Sequence, residues 1–205
     1  KGNVLAGVAD CVNVKKYWKQ FRINENDVYC NAGIFLIDLK MWREEKKEQK
    51  IIKRIFKQKG NVFFFEQTLM NWSCRGQILR LEPHYNAYTL FWAFTYKNLI
   101  LWRKPLEFFS EKQIEEAKNA PSIVHFTRNF YMSSRPWVEG CDHPMTKEYL
   151  KYKKMTPWTE LDKDTRNKKA KCMYRLWHTI PQNILLYGAN ILYNTIRPKI
   201  WWKNE

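Results

Sequence analysis

The run Val4-Leu5-Ala6-Gly7-Val8-Ala9 carries no polar side chain, and this most narrows what the chain can become. A strand with one wet face alternates apolar and polar residues, whereas a strand covered on both faces reads as a short unbroken apolar run. Gly33-Ile34-Phe35-Leu36-Ile37-Asp38-Leu39 is a second and stronger strand, and Ile78 to Leu81 and Ser122 to Phe126 are shorter ones. Between them the period changes. Met41 to Lys59 reads as an amphipathic helix, with Ile51, Ile52, Ile55 and Phe56 on one face, Lys and Glu on the other, and Gly60-Asn61 as the stop. Glu66 to Cys74 is a further helix, and Ser110 to Lys118 another, with Ser110 placed to cap it. Strands alternating with helices predict an α/β domain. At 205 residues, 45% of them hydrophobic, the chain can bury a real core.

Composition then bounds the partners. The formal net charge of +16 calls for an anionic one: nucleic acid, an anionic membrane or a phosphorylated substrate. Five widely spaced cysteines, none in a zinc-knuckle or redox spacing, read as reduced thiols and predict a cytoplasmic chain. The start, from Lys1, has neither a Met nor the basic and apolar regions of a signal peptide, so the sequence reads as beginning partway through a longer protein.

The last third differs from the rest. From Thr146 to Glu205 there are 13 lysines and arginines against 5 acidic residues, and no charged residue between Arg175 and Arg197. Pro181, Gln182, Asn183, Asn190 and Asn194 argue against a transmembrane span. The pattern is amphipathic, with Ile184, Leu185, Ile191, Leu192, Thr195 and Ile196 on one helical face and the asparagines toward the other. Flanking Trp, Tyr and basic residues suit a helix lying in the interface of the inner leaflet, and a helix docked on the domain's own core fits the pattern equally.

Three segments carry the chemistry. Tyr29-Cys30-Asn31-Ala32-Gly33 leads into the second strand and then Lys40-Met41-Trp42-Arg43. Phe65-Glu66-Gln67-Thr68-Leu69-Met70-Asn71 is followed by Leu81-Glu82-Pro83-His84-Tyr85-Asn86. Ile123-Val124-His125-Phe126-Thr127 precedes Arg135-Pro136-Trp137, His143-Pro144 and Thr156-Pro157-Trp158. Asn31-Ala32-Gly33 is a small polar turn at a strand's start: glycine admits close backbone approach, and an Asn amide can donate to and accept from a sugar hydroxyl at once. Glu66 and Gln67 could stabilise a developing oxocarbenium charge, one as a carboxylate and the other through its carbonyl dipole. Taken alone these residues read as a turn, a helix-terminal carboxylate and a surface amide. His125 at a strand end is a metal ligand only beside carboxylates.

In order and spacing, from about Asn3 to about Trp158, these segments resemble the bacterial glycosyltransferase family 8, the retaining enzymes that use UDP-sugars. The resemblance implies a GT-A-like nucleotide-sugar transferase fold, a mixed sheet flanked by helices, lacking its first part. It makes 1–158 the C-terminal portion of a catalytic domain, and leaves 159–205 as the basic and aromatic helical tail whose pattern suits a membrane surface or a docked helix. It implies Gln67 and Glu66 as catalytic, and Asn31, Ala32 and Gly33 at the donor sugar. Arg135 and Arg128 would lie on the diphosphate, and His125 would be one ligand of Mn²⁺ or Mg²⁺. The donor would be a UDP-hexose, the acceptor a glycan or lipid-linked glycan, with no nucleic acid expected.

Several positions depart from the pattern. Glu66 stands for the first Asp of an Asp-Gln-Asp, Thr68 for the second, Arg135 for a Lys, and Arg128 for a Gly. The family's Asp-x-Asp would lie upstream of Lys1. The one Asp-x-Asp present, Asp162-Lys163-Asp164, lies in the charged stretch behind Trp158 and reads as a solvated loop. The chain alone is therefore expected to be inactive. A non-catalytic remnant that binds glycan or membrane, and a basic nucleic-acid-binding module, are the competing readings.

Overall fold

In the computed structural model, which describes residues 2–24, 26–127, 131–132 and 134–202, strands and helices alternate as the apolar pattern predicts. β1 (Leu5–Ala9), α1 (Trp18–Phe21), β2 (Cys30–Ile37), α2 (Leu39–Glu44), α3 (Lys47–Lys57), α4 (Phe65–Ser73) and β3 (Ile78–Leu81) come first. β4 (Ala87–Tyr88), α5 (Leu90–Ala93), α6 (Tyr96–Arg103), α7 (Glu111–Asn119), β5 (Val124–His125) and α8 (Thr146–Lys153) follow. α9 (Lys168–Thr179), α10 (Gln182–Ile191), a π turn over Leu192–Ile196 and α11 (Arg197–Trp202) complete the order.

β1 is the middle strand of a mixed three-stranded sheet in the order β2-β1-β3, antiparallel to β2 and parallel to β3. All five of its residues are buried, as an unbroken apolar run requires. Leu36 and Leu79 flank Ala6 across the sheet and are both exposed, so one face of the sheet is partly open. β4 and β5 form a separate parallel pair, with Ala87 opposite Val124 and Tyr88 opposite His125.

β2 differs from the expected strand at both ends. It begins at Cys30 rather than Gly33, and it ends at Ile37 because the Asp38 side chain accepts the Met41 N–H and caps α2. Its register breaks inside the motif. Gly7 pairs with Phe35 and Ala9 with Cys30, so Val8 alone faces the four residues from Asn31 to Ile34. Such a bulge frees backbone groups from the ladder and re-aims side chains. Asn31, Ala32 and Gly33 are therefore a bulge within a strand rather than a turn before one.

The single helix expected over 41–59 is two, broken where Lys46 takes a left-handed conformation (φ 53°). The break lets Lys47 turn inward, where its Nζ donates to the Ser73 carbonyl (2.7 Å) and Gln77 Oε1 (2.6 Å) and pairs with Glu45. The expected buried face is also corrected: Ile52 and Phe56 are exposed, while Lys47 and Arg54 are buried. The stem of Arg54 lies inside and its guanidinium stacks on the Trp72 ring at 4.5 Å, a long side chain covering apolar surface with its carbons. α7 is as expected, opened by a full capping box between Ser110 and Gln113.

The largest apolar cluster joins Val8 and Ala9 of β1 to Tyr88, Phe91, Leu99 and Trp102, and takes in Trp177 of α9 and Leu186 of α10. A second, around Tyr17, Phe21, Tyr29 and Phe63, includes Tyr193, and Tyr17 donates its hydroxyl to the Tyr193 carbonyl. The C-terminal helices are thus docked on the domain. They dock through their asparagines: Asn190 donates to the Leu101 and Trp102 carbonyls, and Asn194 to Trp102, capping the open C-terminal end of α6. The opposite face, with Ile184, Tyr187, Leu192 and Ile196, is exposed. No described helix is long and apolar enough to cross a membrane.

Candidate functional site

Asp10 follows directly on β1, and its carboxylate is the origin of a connected polar group. Its Oδ2 accepts from Gln67 Nε2 at 2.8 Å and from Asn31 Nδ2 at 3.2 Å. Gln67 is in the first turn of α4, and its Oε1 accepts the N–H of Ala32 at 3.0 Å, a donor that the bulge in β2 sets free. Asn31 Oδ1 accepts the Gly33 N–H (2.9 Å) and Asn86 Nδ2 (3.1 Å). Asn86 Oδ1 in turn faces His125 Nδ1 at 3.1 Å. One chain of hydrogen bonds therefore joins Gln67, Asp10, Asn31, Asn86 and His125, from three separate sequence segments and the end of β1.

Packing holds this group from behind. Asn71, fully buried, accepts the Cys30 N–H (2.7 Å) and donates to the Cys30 and Gln67 carbonyls (both 2.8 Å), clamping α4 to the bulged strand. Phe64 and Phe65, just before Gln67, both have positive φ (57° and 45°). For bulky residues that conformation costs about 1–3 kcal/mol each and persists only where the surroundings enforce it. Gly33 has a different role. A Cβ on it would lie 2.1 Å from His125 Nδ1, so only glycine lets the imidazole lie against β2.

Burial holds the His125 imidazole below its ordinary range; Asp10 opposes the shift and Arg135 adds to it. The ring is neutral at pH 7. Since Asn86 Nδ2 is spent on Asn31, Asn86 presents its oxygen, Nδ1 carries the proton, and the Nε2 lone pair is left for a ligand. Arg135 stands 5.2 Å from the Trp137 ring.

The remaining expected residues divide. Glu66 is exposed in the first turn of α4, and no hydrogen bond joins it to the polar group. Thr68 is fully buried and bonds the Tyr29 hydroxyl at 2.9 Å, so a carboxylate there would be buried against a phenol; the missing Asp is replaced by a packing contact. Arg128 lies outside the described residues. Asp164 is held by Arg166 (3.0 Å) and Lys171 (3.6 Å), and the Asp162 backbone bonds Glu139 and Trp137; it is a loop as expected, but a tied one rather than simply solvated. Among the described residues no three of His, Cys, Asp and Glu come together as a metal site. One imidazole does not make a Mn²⁺ or Mg²⁺ site, which needs oxygen ligands, so this chain's residues do not by themselves fit the ion.

Asp10 and the supporting Asn71 and Asn86 were not singled out from sequence. Asp10 had a signal: a carboxylate at the end of a fully buried strand is where α/β sheets place their ligands. The asparagines had none, since an amide shows its role only through its partners. A cleft of about 1270 Å³ around α1, α3 and Trp72 does not include this group. A small cavity of about 30 Å³ opens beside Asp10. The polar group, not the cavity size, marks the candidate site, because it gathers the motif residues.

Residues 1–140 match the family model described as Glycosyl transferase family 8. General stress protein A of Bacillus subtilis (strain 168) is 27% identical over 145 residues, 70% of this chain and 47% of that protein. The lipopolysaccharide 1,2-glucosyltransferase of Escherichia coli (strain K12) is 27% identical over 133 residues, 64% of this chain and 35% of its own. The chain thus spans less than half the length of either curated relative. Among solved structures, the apo form of the bifunctional glycosyltransferase WbbM aligns with a TM-score of 0.58 and 18% identity, over 78% of this chain and 29% of its own. The galactosyltransferase LgtC in complex with donor and acceptor sugar analogues aligns at 0.55 and 16%, over 84% and 56%. At such identities the likeness is one of fold, the GT-A arrangement with a mixed sheet flanked by helices.

Proposed function

This chain belongs to glycosyltransferase family 8, and from that premise we propose that it supplies the sugar-handling part of a retaining hexosyltransferase. The reaction would move glucose or galactose from a UDP-hexose to a hydroxyl of a glycan or lipid-linked glycan acceptor, in the synthesis of a cell-surface glycan such as lipopolysaccharide or capsule. The observation that carries this is the single hydrogen-bonded group from Gln67 through Asp10, Asn31 and Asn86 to His125.

In this reading Asp10 and Asn31 hold sugar hydroxyls, which suits a carboxylate and an amide already fixed by partners. Gln67 lies against the reacting face, with its carbonyl dipole opposing the charge that develops at the anomeric carbon. Its amide is a poor nucleophile, which favours attack from the leaving-group face over a covalent intermediate. On that route the bond from the anomeric carbon to UDP breaks with its electron pair leaving on the diphosphate. The acceptor oxygen closes the new bond, and its proton passes to the departing phosphate oxygen. Arg135 can grip the diphosphate bidentately. Among the described residues His125 is the ligand this chain would offer to a divalent cation, and no step above depends on it. Transfer by this chain alone is expected to be absent.

The test is Gln67→Ala in the complete protein. Transfer from UDP-hexose should fall at least ~100-fold, the scale on which a single transition-state dipole acts, while UDP binding stays within a few-fold. Unchanged turnover sinks the role of Gln67.

The membrane reading belongs here as well. Residues 159–205 would sit on the cytoplasmic leaflet, with the outward stripe of Ile184, Tyr187, Leu192 and Ile196 entering the interface and the basic excess meeting anionic headgroups. What supports it is that docking occupies the asparagine face and leaves the apolar one outward.

A further inference from the structure

A cleft of about 1270 Å³ around α1, α3 and Trp72 lies apart from the polar group around Gln67. α4 carries residues of both: Gln67 and Trp72 are five residues apart, about 7.5 Å along the axis and about 140° around it, so they address different sides of the helix. Trp72 forms one wall of the cleft. Lys50, Lys53 and Lys57 also line it, and their recurrence at intervals of three and four places them on one face of α3. Lys19 and Arg22 of the α1 segment and Arg75 behind α4 extend the same sign around the rim, and among the described residues the lining holds no carboxylate.

Like charges a turn apart on a helix oppose each other. A cleft lined by one sign focuses the field and concentrates counter-ions. The arrangement therefore reads as a site for a polyanion. Its volume of about 1270 Å³ exceeds the ~300–1,000 Å³ usual for a small-molecule pocket, which suits an oligomer.

Two aromatic rings line the cleft, and they differ. Trp72 is already covered, by Arg54 at 4.5 Å and Arg75 at 5.7 Å. Trp18, with Lys19 Nζ 5.7 Å from its ring centroid, is still 53% exposed and offers a platform for one ring. A single-stranded nucleic acid needs successive platforms for successive bases, and a bilayer surface does not enter a concave cleft. A pyranose ring needs one indole for its C–H face, with cations around it for its charged substituents.

We propose that this cleft binds a phosphorylated oligosaccharide, the anionic segment of the glycan acceptor, with Lys53, Lys57 and Arg22 on the phosphates and Trp18 under a sugar ring. This rests on the reading of the chain as part of a glycan-building transferase, which is what selects a sugar among polyanions.

The experiment measures binding of a bisphosphorylated glucosamine disaccharide to the full chain, beside its dephosphorylated form, a single-stranded RNA of equal charge, and UDP. The phosphorylated sugar should bind at least tenfold more tightly than the neutral one and more tightly than the RNA. Lys53→Glu with Lys57→Glu should weaken it at least tenfold, Lys53→Gln with Lys57→Gln by less, and UDP affinity should be unchanged in both. Trp18→Ala should weaken the disaccharide several-fold and leave inorganic pyrophosphate unaffected. Equal affinity for the neutral sugar, tighter RNA binding, or indifference to any of these substitutions overturns the proposal. If UDP-hexose is no donor but the charge reversals still abolish phosphosugar binding, the transferase reading fails and the cleft assignment stands.

Discussion

Gly33 and His125 are coupled by space alone. A methyl group at Gly33 would fall inside the imidazole ring, on a strand that the sheet and Gln67 hold in place. Gly33→Ala therefore forces the ring away from Asn86, at a cost of about 1–3 kcal/mol typical of overpacking. Urea unfolding should show that loss, and transfer by the complete protein should fall more than tenfold. His143 makes a pH-dependent contribution. It is buried between Trp92 and Phe126, and its Nδ1 accepts the Met145 N–H at 3.1 Å. Burial, opposed by Asp142, pulls its pKa down to about 4. Because the neutral ring is the folded form, this stability is present above pH ~6.5 and drains away as the pH falls toward 4, in all by up to about 3 kcal/mol. His143→Asn keeps an acceptor for Met145 without a titrating group, and should flatten stability against pH across that interval. Asn31, Gln67 and His125 were legible from their order along the chain. Asp10 was marked only by its place at the end of a fully buried strand, a signal that carries no motif spacing. Glu66 came from the resemblance, as the first residue of an Asp-Gln-Asp; on α4 it is exposed and points some 100° away from Gln67.

Whole elements were easier to read than the faces they present. α7 was legible to its first residue because the capping box is local chemistry, a side chain reaching a backbone three residues on. α3 was legible as a helix, yet Ile52 and Phe56 of its apolar stripe are exposed while Lys47 and Arg54 are buried. The hydrophobic pattern says that two faces differ; it does not say which one a neighbour covers. α10 repeats the lesson. Its asparagines, the polar side by sequence, are the docking side, since the last carbonyls of α6 lack partners and an amide is the group that can supply one. Asn190→Ala with Asn194→Ala leaves those carbonyls short of donors. It should cost about 1–3 kcal/mol in urea unfolding and speed proteolysis between α9 and α11. Resistance equal to that of the parent chain would show that the C-terminal helices are held by Leu186 and Tyr193 alone.

At the scale of the molecule, charge and topology separate two surfaces. The outward stripe on α10 and the π turn combines apolar side chains with a basic surround, so the chain should sediment with phosphatidylglycerol vesicles and much less with phosphatidylcholine ones. Ile184→Ser with Leu192→Ser changes only residues that are 64% and 57% exposed. Stability should therefore hold while vesicle binding drops about tenfold or more, and unaltered sedimentation refutes the membrane role. The sequence by itself determined that the chain is α/β, that β1 is buried on both faces, that Ser110 caps α7, and that three spaced motifs belong to one kind of site. Those properties reside in local propensity, in periodicity and in the order of short segments. Only the tertiary structure decided that Asn31 to Gly33 form a bulge, that Asp10 ties Gln67 to Asn31, that Thr68 is packing, that α3 buries Lys47 and Arg54, and that α10 docks through Asn190. Each of these depends on a partner far away in sequence, and no one-dimensional pattern records which partner is close enough to claim a hydrogen bond or exclude water.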